Sequence, residues 1–176
     1  MNDAELASLV REHALLTGDF VLRSGRRSTY YLDKYRFETQ PELLRVLGAR
    51  IAAVAAERAP RASRLAGPEL GAVALAAAAS LASGLPFLIV RKQAKDYGTG
   101  RALEGVYEAG DEVCLVEDVV TTGGAAVAAV DVLREAGLAC RAAVCVVDRE
   151  EGGADALARK AVRLFPLLRA SAVLGH

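Results

Sequence analysis

The chemistry of this chain is concentrated in Val113 to Ala125, VCLVEDVVTTGGA. An apolar run leads into two adjacent carboxylates, Glu117 and Asp118. Val119 and Val120 follow, then Thr121, Thr122, Gly123, Gly124 and Ala125. Glycines let a backbone turn tightly and approach a ligand. Free amides at a helix start, with the positive end of its dipole, favour a phosphate, and threonine hydroxyls add uncharged donors. The carboxylates repel phosphate but accept hydrogen bonds from vicinal hydroxyls, as on a ribose. One loop therefore offers a diol site and a phosphate site a sugar's width apart. The rival phosphate motifs, G-x-x-x-x-G-K-[ST] and a G-x-G-x-x-G after a strand, are absent.

Three further groups carry charge or flat apolar surface. Arg91, Lys92 and Lys95 stand in a polar, glycine-containing segment, and hold two of the chain's four lysines. Alone they read as a solvated loop; beside a phosphate site they suit a diphosphate, in a lid that closes over it. Arg149, just past an apolar run, reads either as a surface arginine or as a bidentate partner for a carboxylate. Tyr30 and Tyr31 suit a hairpin core.

The elements that must position these groups follow from periodicity. A helix capped by Asp3 and ended by Thr17-Gly18 is expected first, then a hairpin of Phe20–Leu22 and Thr29–Leu32. A second helix starts at Pro41 and runs to about Glu57. Short apolar strands are expected at Arg64–Ala66, Pro86–Val90, Val113–Val116 and Cys140–Val147, separated by helices at Leu70–Ser83 and Gly124–Ala136, with Gly137 as C-terminal cap. Beyond Glu151-Gly152-Gly153, read as a flexible turn, the tail is weakly patterned. Strands without polar alternation, alternating with helices, imply a mainly parallel α/β sheet flanked by helices. One domain is expected over 1–176, as an N-terminal helix-hairpin cap (1–38) and an α/β core (39–176). Ligands of such sheets bind at the carboxyl ends of the strands, so function is sought after Ala66, Val90, Val116 and Val147.

Composition narrows the classes. The chain has 176 residues, 53% of them hydrophobic, and 22 basic against 22 acidic side chains. That excludes disorder and argues against nucleic-acid binding, which demands a basic face. The uncharged stretch from Leu70 to Val90 is long enough to span a bilayer, but it is small-residue-rich and broken by Gly84 and Pro86, so no membrane partner is expected. No signal peptide opens the chain, and Cys114, Cys140 and Cys145 read as buried thiols of a reducing, cytoplasmic setting. With only His13 and His176, a histidine-based triad is improbable.

VCLVEDVVTTGGA resembles the phosphoribosyl pyrophosphate signature of type I phosphoribosyltransferases. Three more segments resemble orotate phosphoribosyltransferases: Arg91-Lys92-Gln93-Ala94-Lys95-Asp96-Tyr97-Gly98, Phe20 to Ser28 with Tyr30-Tyr31, and Val147-Asp148-Arg149-Glu150. The matches fall in order over about residues 15 to 153. The resemblance implies transfer of ribose 5-phosphate from phosphoribosyl pyrophosphate to orotate, in pyrimidine nucleotide synthesis. It implies phosphoribosyl pyrophosphate contacts from Arg91, Lys92, Lys95, Tyr97 and the run Glu117, Asp118, Val119, Val120, Thr121, Thr122, Gly123, Gly124 and Ala125. It implies orotate contacts from Arg23, Tyr30, Tyr31, Thr121 and Arg149. Catalysis would rest on Lys95, Arg91, Lys92 and Asp118. The cofactor would be Mg2+, held mainly by ligand oxygens, with Asp118 reaching it through water and no all-protein cage. A homodimer with shared sites follows from the same resemblance, Lys92 entering the partner's site.

The chain departs from the pattern in three places. Tyr97 stands where members often have His, Arg23 where some have Lys, and Glu69-Leu70 where some have Tyr-Lys after the Gly-Pro turn, so that diphosphate contact is absent or replaced. Two other readings remain: a transferase for another nucleobase, which needs no Arg149, and a non-enzymatic nucleotide-sensing regulator, which needs a basic nucleic-acid face.

Overall fold

The computed structural model describes residues 1–21, 25, 27–92 and 102–175. Helix α1 (Asp3–Ala14) is capped by Asn2 rather than Asp3, through a capping box with Glu5. It ends three residues before the expected stop, because Leu15 and Leu16 pair with Leu32 and Tyr31. They open β1 (Leu15–Val21), which runs antiparallel to β2 (Arg27–Leu32) in a separate two-stranded sheet. The short helix α2 (Lys34–Glu38) and the long α3 (Pro41–Arg58, with Pro41 in its first turn) complete the N-terminal part.

The main sheet is built from β3 (Arg64–Pro68), β4 (Phe87–Val90), β5 (Leu103–Glu104), β6 (Glu112–Val120), β7 (Ala139–Asp148) and β8 (Arg163–Arg169). Its order is β5-β4-β3-β6-β7-β8. All pairs are parallel except β4 with β5. Helices α4 (Gly71–Ser83), α5 (Gly124–Glu135), α6 (Gly153–Arg159) and α7 (Ala170–Leu174) make the crossovers and the close of the chain. The suspected bilayer stretch thus resolves into α4, a turn at Gly84 and β4. Among the described residues no helix is long and apolar enough to cross a membrane.

Two apolar layers cover the sheet. Alternate residues of β6 divide between them, because successive strand side chains point to opposite faces. Cys114 and Val116 join Leu6 and Val10 of α1, Leu47 and Ile51 of α3 and Leu75 of α4. Val113 and Leu115 join Ala129, Val130 and Leu133 of α5. Helix α1 therefore belongs to the main core, while the β1–β2 hairpin forms a separate sheet that joins this core through Leu32. The three cysteines are free and buried.

Two departures from the expected elements bear on function. β6 does not stop at Val116: Val119 and Val120 pair with Val147 and Asp148, so the acidic pair lies inside the strand. The weakly patterned tail supplies α6, β8 and α7. Its strand carries Pro166 and lies at the sheet edge, where a missing amide costs no ladder bond, and its half-buried faces blur the pattern.

Candidate functional site

From β3 the chain crosses through α4 to β4 on one side, and from β6 through α5 to β7 on the other. β3 and β6 are neighbours, so the strand order reverses between them and opens a crevice at their carboxyl ends. The turns after β3, β4, β6 and β7 meet at that edge, and they carry Glu69, Arg91, Thr121 and Arg149.

Glu117 and Asp118 are almost completely buried, 6% and 3% exposed. Asp118 is fixed at both oxygens. Its own strand neighbour Val119 donates N–H to Oδ1 at 2.5 Å, and Lys34 donates Nζ–H to Oδ2 at 2.5 Å. Glu38, on the same short helix as Lys34 and 3% exposed, completes a cluster of three acids and one cation. Burial, then the charge of Asp118, pushes the Glu117 carboxyl up to about 8 against the pull of Lys34. The same causes push Glu38 up. Burial works against the Lys34 ammonium, but its hydrogen bond and charge pairing with Asp118 outweigh that and hold it above the ordinary lysine value.

Thr121 and Thr122 are exposed, and Gly123 turns the chain at φ 83 before α5 begins at Gly124. The first amides of α5 have no acceptor within the helix and face the edge where a phosphate is expected. This loop rests on the start of α6. A Cβ at Gly153 would lie 2.3 Å from Val120 Cγ1 and 2.6 Å from the Thr121 carbonyl oxygen. Gly153 is therefore a close-packed seat for the Thr/Gly loop, not merely part of the flexible turn its composition suggests.

Arg149 is bonded to the same loop, donating its backbone N–H to the Val120 carbonyl at 2.8 Å. Its guanidinium lies 5.1 Å from the Tyr30 ring centroid, donates Nη2–H to the Tyr30 hydroxyl at 3.2 Å and pairs with Glu151 at 3.0 Å. Tyr30 and Tyr31 take opposite faces of β2, as alternation requires. The structure brings Tyr30 to Arg149, whereas Tyr31 is 43% exposed and packs against Phe20, with ring centroids 5.7 Å apart. Arg91 faces Glu104 at 3.9 Å, and Lys92 is exposed, its backbone N–H donated to Glu69 at 2.7 Å. Arg23, Lys95 and Tyr97 lie outside the described residues.

Folded proteins rarely leave buried polar side-chain atoms without partners. Among the described residues, Glu38 Oε1, Arg91 Nε, Glu117 Oε1 and Arg149 Nε are all buried and lack a hydrogen-bond partner. All four belong to groups gathered at this edge, where a polyhydroxylated, anionic ligand would satisfy them. Lys34 and Glu38 were not legible as site residues. The one signal was an isolated lysine soon after the Tyr30-Tyr31 strand, in a chain with four lysines.

A parallel sheet whose switch-point strand carries an acidic pair, followed by a Thr/Gly loop and a helix, defines a type I phosphoribosyltransferase fold. No family model matches the chain, but whole-chain relatives do. It is 50% identical to an orotate phosphoribosyltransferase of Methanocella arvoryzae, over 99% of this chain and 98% of that one. It is 47% identical to that of Halobacterium salinarum, over 98% and 96%. The crystal structure of orotate phosphoribosyltransferase from Aeropyrum pernix superposes with a TM-score of 0.87 at 34% identity, over 97% of this chain and 96% of that one. The Mycobacterium tuberculosis H37Rv enzyme in complex with 5-phospho-α-D-ribosyl 1-diphosphate gives 0.82 at 31%, over 97% and 98%. An adenine phosphoribosyltransferase from Leishmania tarentolae, 17% identical with a TM-score of 0.72 over 98% of this chain and 91% of that one, shares the fold alone. The chain belongs to the orotate phosphoribosyltransferase family.

Proposed function

We propose that this protein transfers ribose 5-phosphate from phosphoribosyl pyrophosphate to N1 of orotate, giving orotidine 5-phosphate and pyrophosphate. The observation that supports this most is the set of unpartnered buried groups at one edge. Glu117 Oε1 stands on the central strand, and the Arg149 guanidinium, whose Nε has no partner, stands beside Tyr30. Acceptors suit ribose hydroxyls, and the guanidinium donor suits the carboxylate of orotate. A purine has no carboxylate to meet Arg149, which disfavours another base. Balanced charge disfavours the nucleic-acid-binding regulator.

In the reaction the C1–O bond to diphosphate breaks, N1 of orotate bonds to C1, and N1 gives up its proton. No protein nucleophile is required. Positive charge grows on the ribose ring as diphosphate leaves, so catalysis is positioning and charge stabilisation. Asp118 and Glu117 hold the ribose, and Thr121, Thr122, Gly123, Gly124 and Ala125, following Val119 and Val120, hold the 5-phosphate. Arg91, Lys92 and Lys95 meet the diphosphate, with Tyr97 beside them. Arg149, Tyr30, Tyr31, Arg23 and Thr121 bind orotate.

Among the described residues no group of three or more His, Cys, Asp or Glu is spaced to hold a metal ion. The hard oxygens of Asp118 nonetheless suit Mg2+ carried in by the substrate and held mainly by ligand oxygens, which Asp118 would reach through water. Bound there, Mg2+ would neutralise diphosphate charge. We also assign a homodimer, in which the exposed Lys92 enters the partner's site, and a cytoplasmic setting, since its charged substrates do not cross a bilayer unaided.

The test is to mix the purified protein with phosphoribosyl pyrophosphate, Mg2+ and one acceptor, and follow absorbance. Orotate is expected to be consumed, and uracil, hypoxanthine and adenine left untouched. Consumption of a purine, or of none, would overturn the reading.

A further inference from the structure

Asp118 is held by a residue from the other end of the chain. Lys34 follows the hairpin strand that carries Tyr30, and crosses to the main sheet to bond Asp118 Oδ2 at 2.5 Å. With the Val119 amide on Oδ1, both carboxylate oxygens are pinned, and the plane of the group is set before any ligand arrives. The start of α4 leaves room for this. A Cβ on Gly71 would lie 1.9 Å from Asp118 Oδ2 and 3.0 Å from Lys34 Nζ. Only a residue without a side chain fits there. The Asp118 side chain is almost wholly buried, whereas that of Lys34 is one-third exposed (4% against 33%). Glu117 and Glu38 each keep a buried oxygen without a partner beside this pair.

We infer that Lys34 is a positioning residue of the ribose site, which aims the Asp118 carboxylate at the ribose diol and balances the acidic cluster while the site awaits its substrate. Asp118 is then ready to accept hydroxyl bonds with no reorganisation when charge develops on the ring. The position also explains how the Gly67-Pro68-Glu69-Leu70 turn, without a lysine of its own, keeps a cation beside the start of α4. This inference rests on the proposed function, since it assigns Lys34 a part in that same site.

The test is a double-mutant cycle with full kinetics. A misplaced carboxylate costs on the order of 10²-fold in rate. Lys34→Met is therefore expected to raise the KM for phosphoribosyl pyrophosphate and lower kcat/KM by that order, with the orotate KM moving less than about twofold. Lys34→Arg should recover part of the loss. In an Asp118→Asn background, Lys34→Met should cost little more, because it acts through the carboxylate already removed. Lys160→Met, which breaks the distant Lys160–Asp131 pair, serves as the control that leaves kinetics unchanged. Should Lys34→Met fold poorly, Lys34→Ala, which also removes the donor, is read in the same way. An unchanged phosphoribosyl pyrophosphate KM in the folded variant, or losses that simply multiply in the double mutant, would overturn the role of Lys34. Failure of the wild-type chain to turn over orotate at all would instead overturn the proposed function.

Discussion

The two halves of the site are built differently. The half proposed to take ribose phosphate is contiguous: central strand, acids, Thr/Gly loop and helix follow one another from Glu112 to Glu135. The base half is assembled from distant pieces. Arg149, after β7, meets Tyr30 of the hairpin across 119 positions of sequence. The first half is held by ladder pairing on both sides and by two apolar layers. The second hangs on a two-stranded sheet and a handful of polar contacts. A contiguous half-site inherits the rigidity of its strand; an assembled one can be altered one contact at a time.

That contrast is open to attack, and the largest effect should come from the contiguous half. Asp118→Asn is expected to lower turnover on the order of 10²-fold or more, a larger effect than its cost in folding stability. Activity equal to wild type would remove Asp118 from the ribose site. Next comes the seat of the phosphate loop. Gly153→Ala must push Val120 or the Thr121 carbonyl aside, so about 1–3 kcal/mol of stability and a higher phosphoribosyl pyrophosphate KM should be lost together. A variant with unchanged stability and KM would show that the loop does not depend on α6.

Within the assembled half, loss of a single neutral hydrogen bond should have a gentler effect. Tyr30→Phe keeps the ring against Arg149 and removes one hydrogen bond worth about 0.5–1.5 kcal/mol, so the orotate KM should rise a few-fold and nothing else should move. The smallest effect expected is electrostatic. Glu117 and Glu38 hold their protons more tightly folded than unfolded, because burial and Asp118 oppose their charge. Their contribution is complete below the ordinary carboxylate range and fades as pH rises through about 8. The ligand-free protein should therefore melt at a lower temperature at pH 9 than at pH 6. Glu38→Gln should flatten that dependence, and a pH-independent melting temperature in the wild type would contradict the cluster.

The same contrast sets how much was legible from sequence. The central strand, its acids, the Thr/Gly loop and α5 could be read in place because local periodicity and turn chemistry specify them. The alternation of strands and helices likewise yielded the parallel sheet. The reach of β6 to Val120 was missed because only pairing with Val147 and Asp148 extends it past two carboxylates. β8 was missed because an edge strand with Pro166 and half-buried faces shows neither a continuous apolar run nor clean alternation. Tyr30 and Tyr31 read alike as neighbours, and only the pairing of β1 with β2, and the hairpin's placement against β7, separates their environments. Lys34 was invisible as a site residue because its meaning lies wholly in a contact with a strand encoded 84 residues later.

The division into a ribose-phosphate half and a base half is tested most directly by steady-state kinetics of Arg149→Ala with orotate and uracil as alternative acceptors. Loss of a charge-assisted hydrogen bond should raise the orotate KM on the order of 10- to 100-fold. The phosphoribosyl pyrophosphate KM should stay near wild type, and the preference for orotate over uracil should collapse. An unchanged orotate KM, or an equal rise in both substrate constants, would contradict the account.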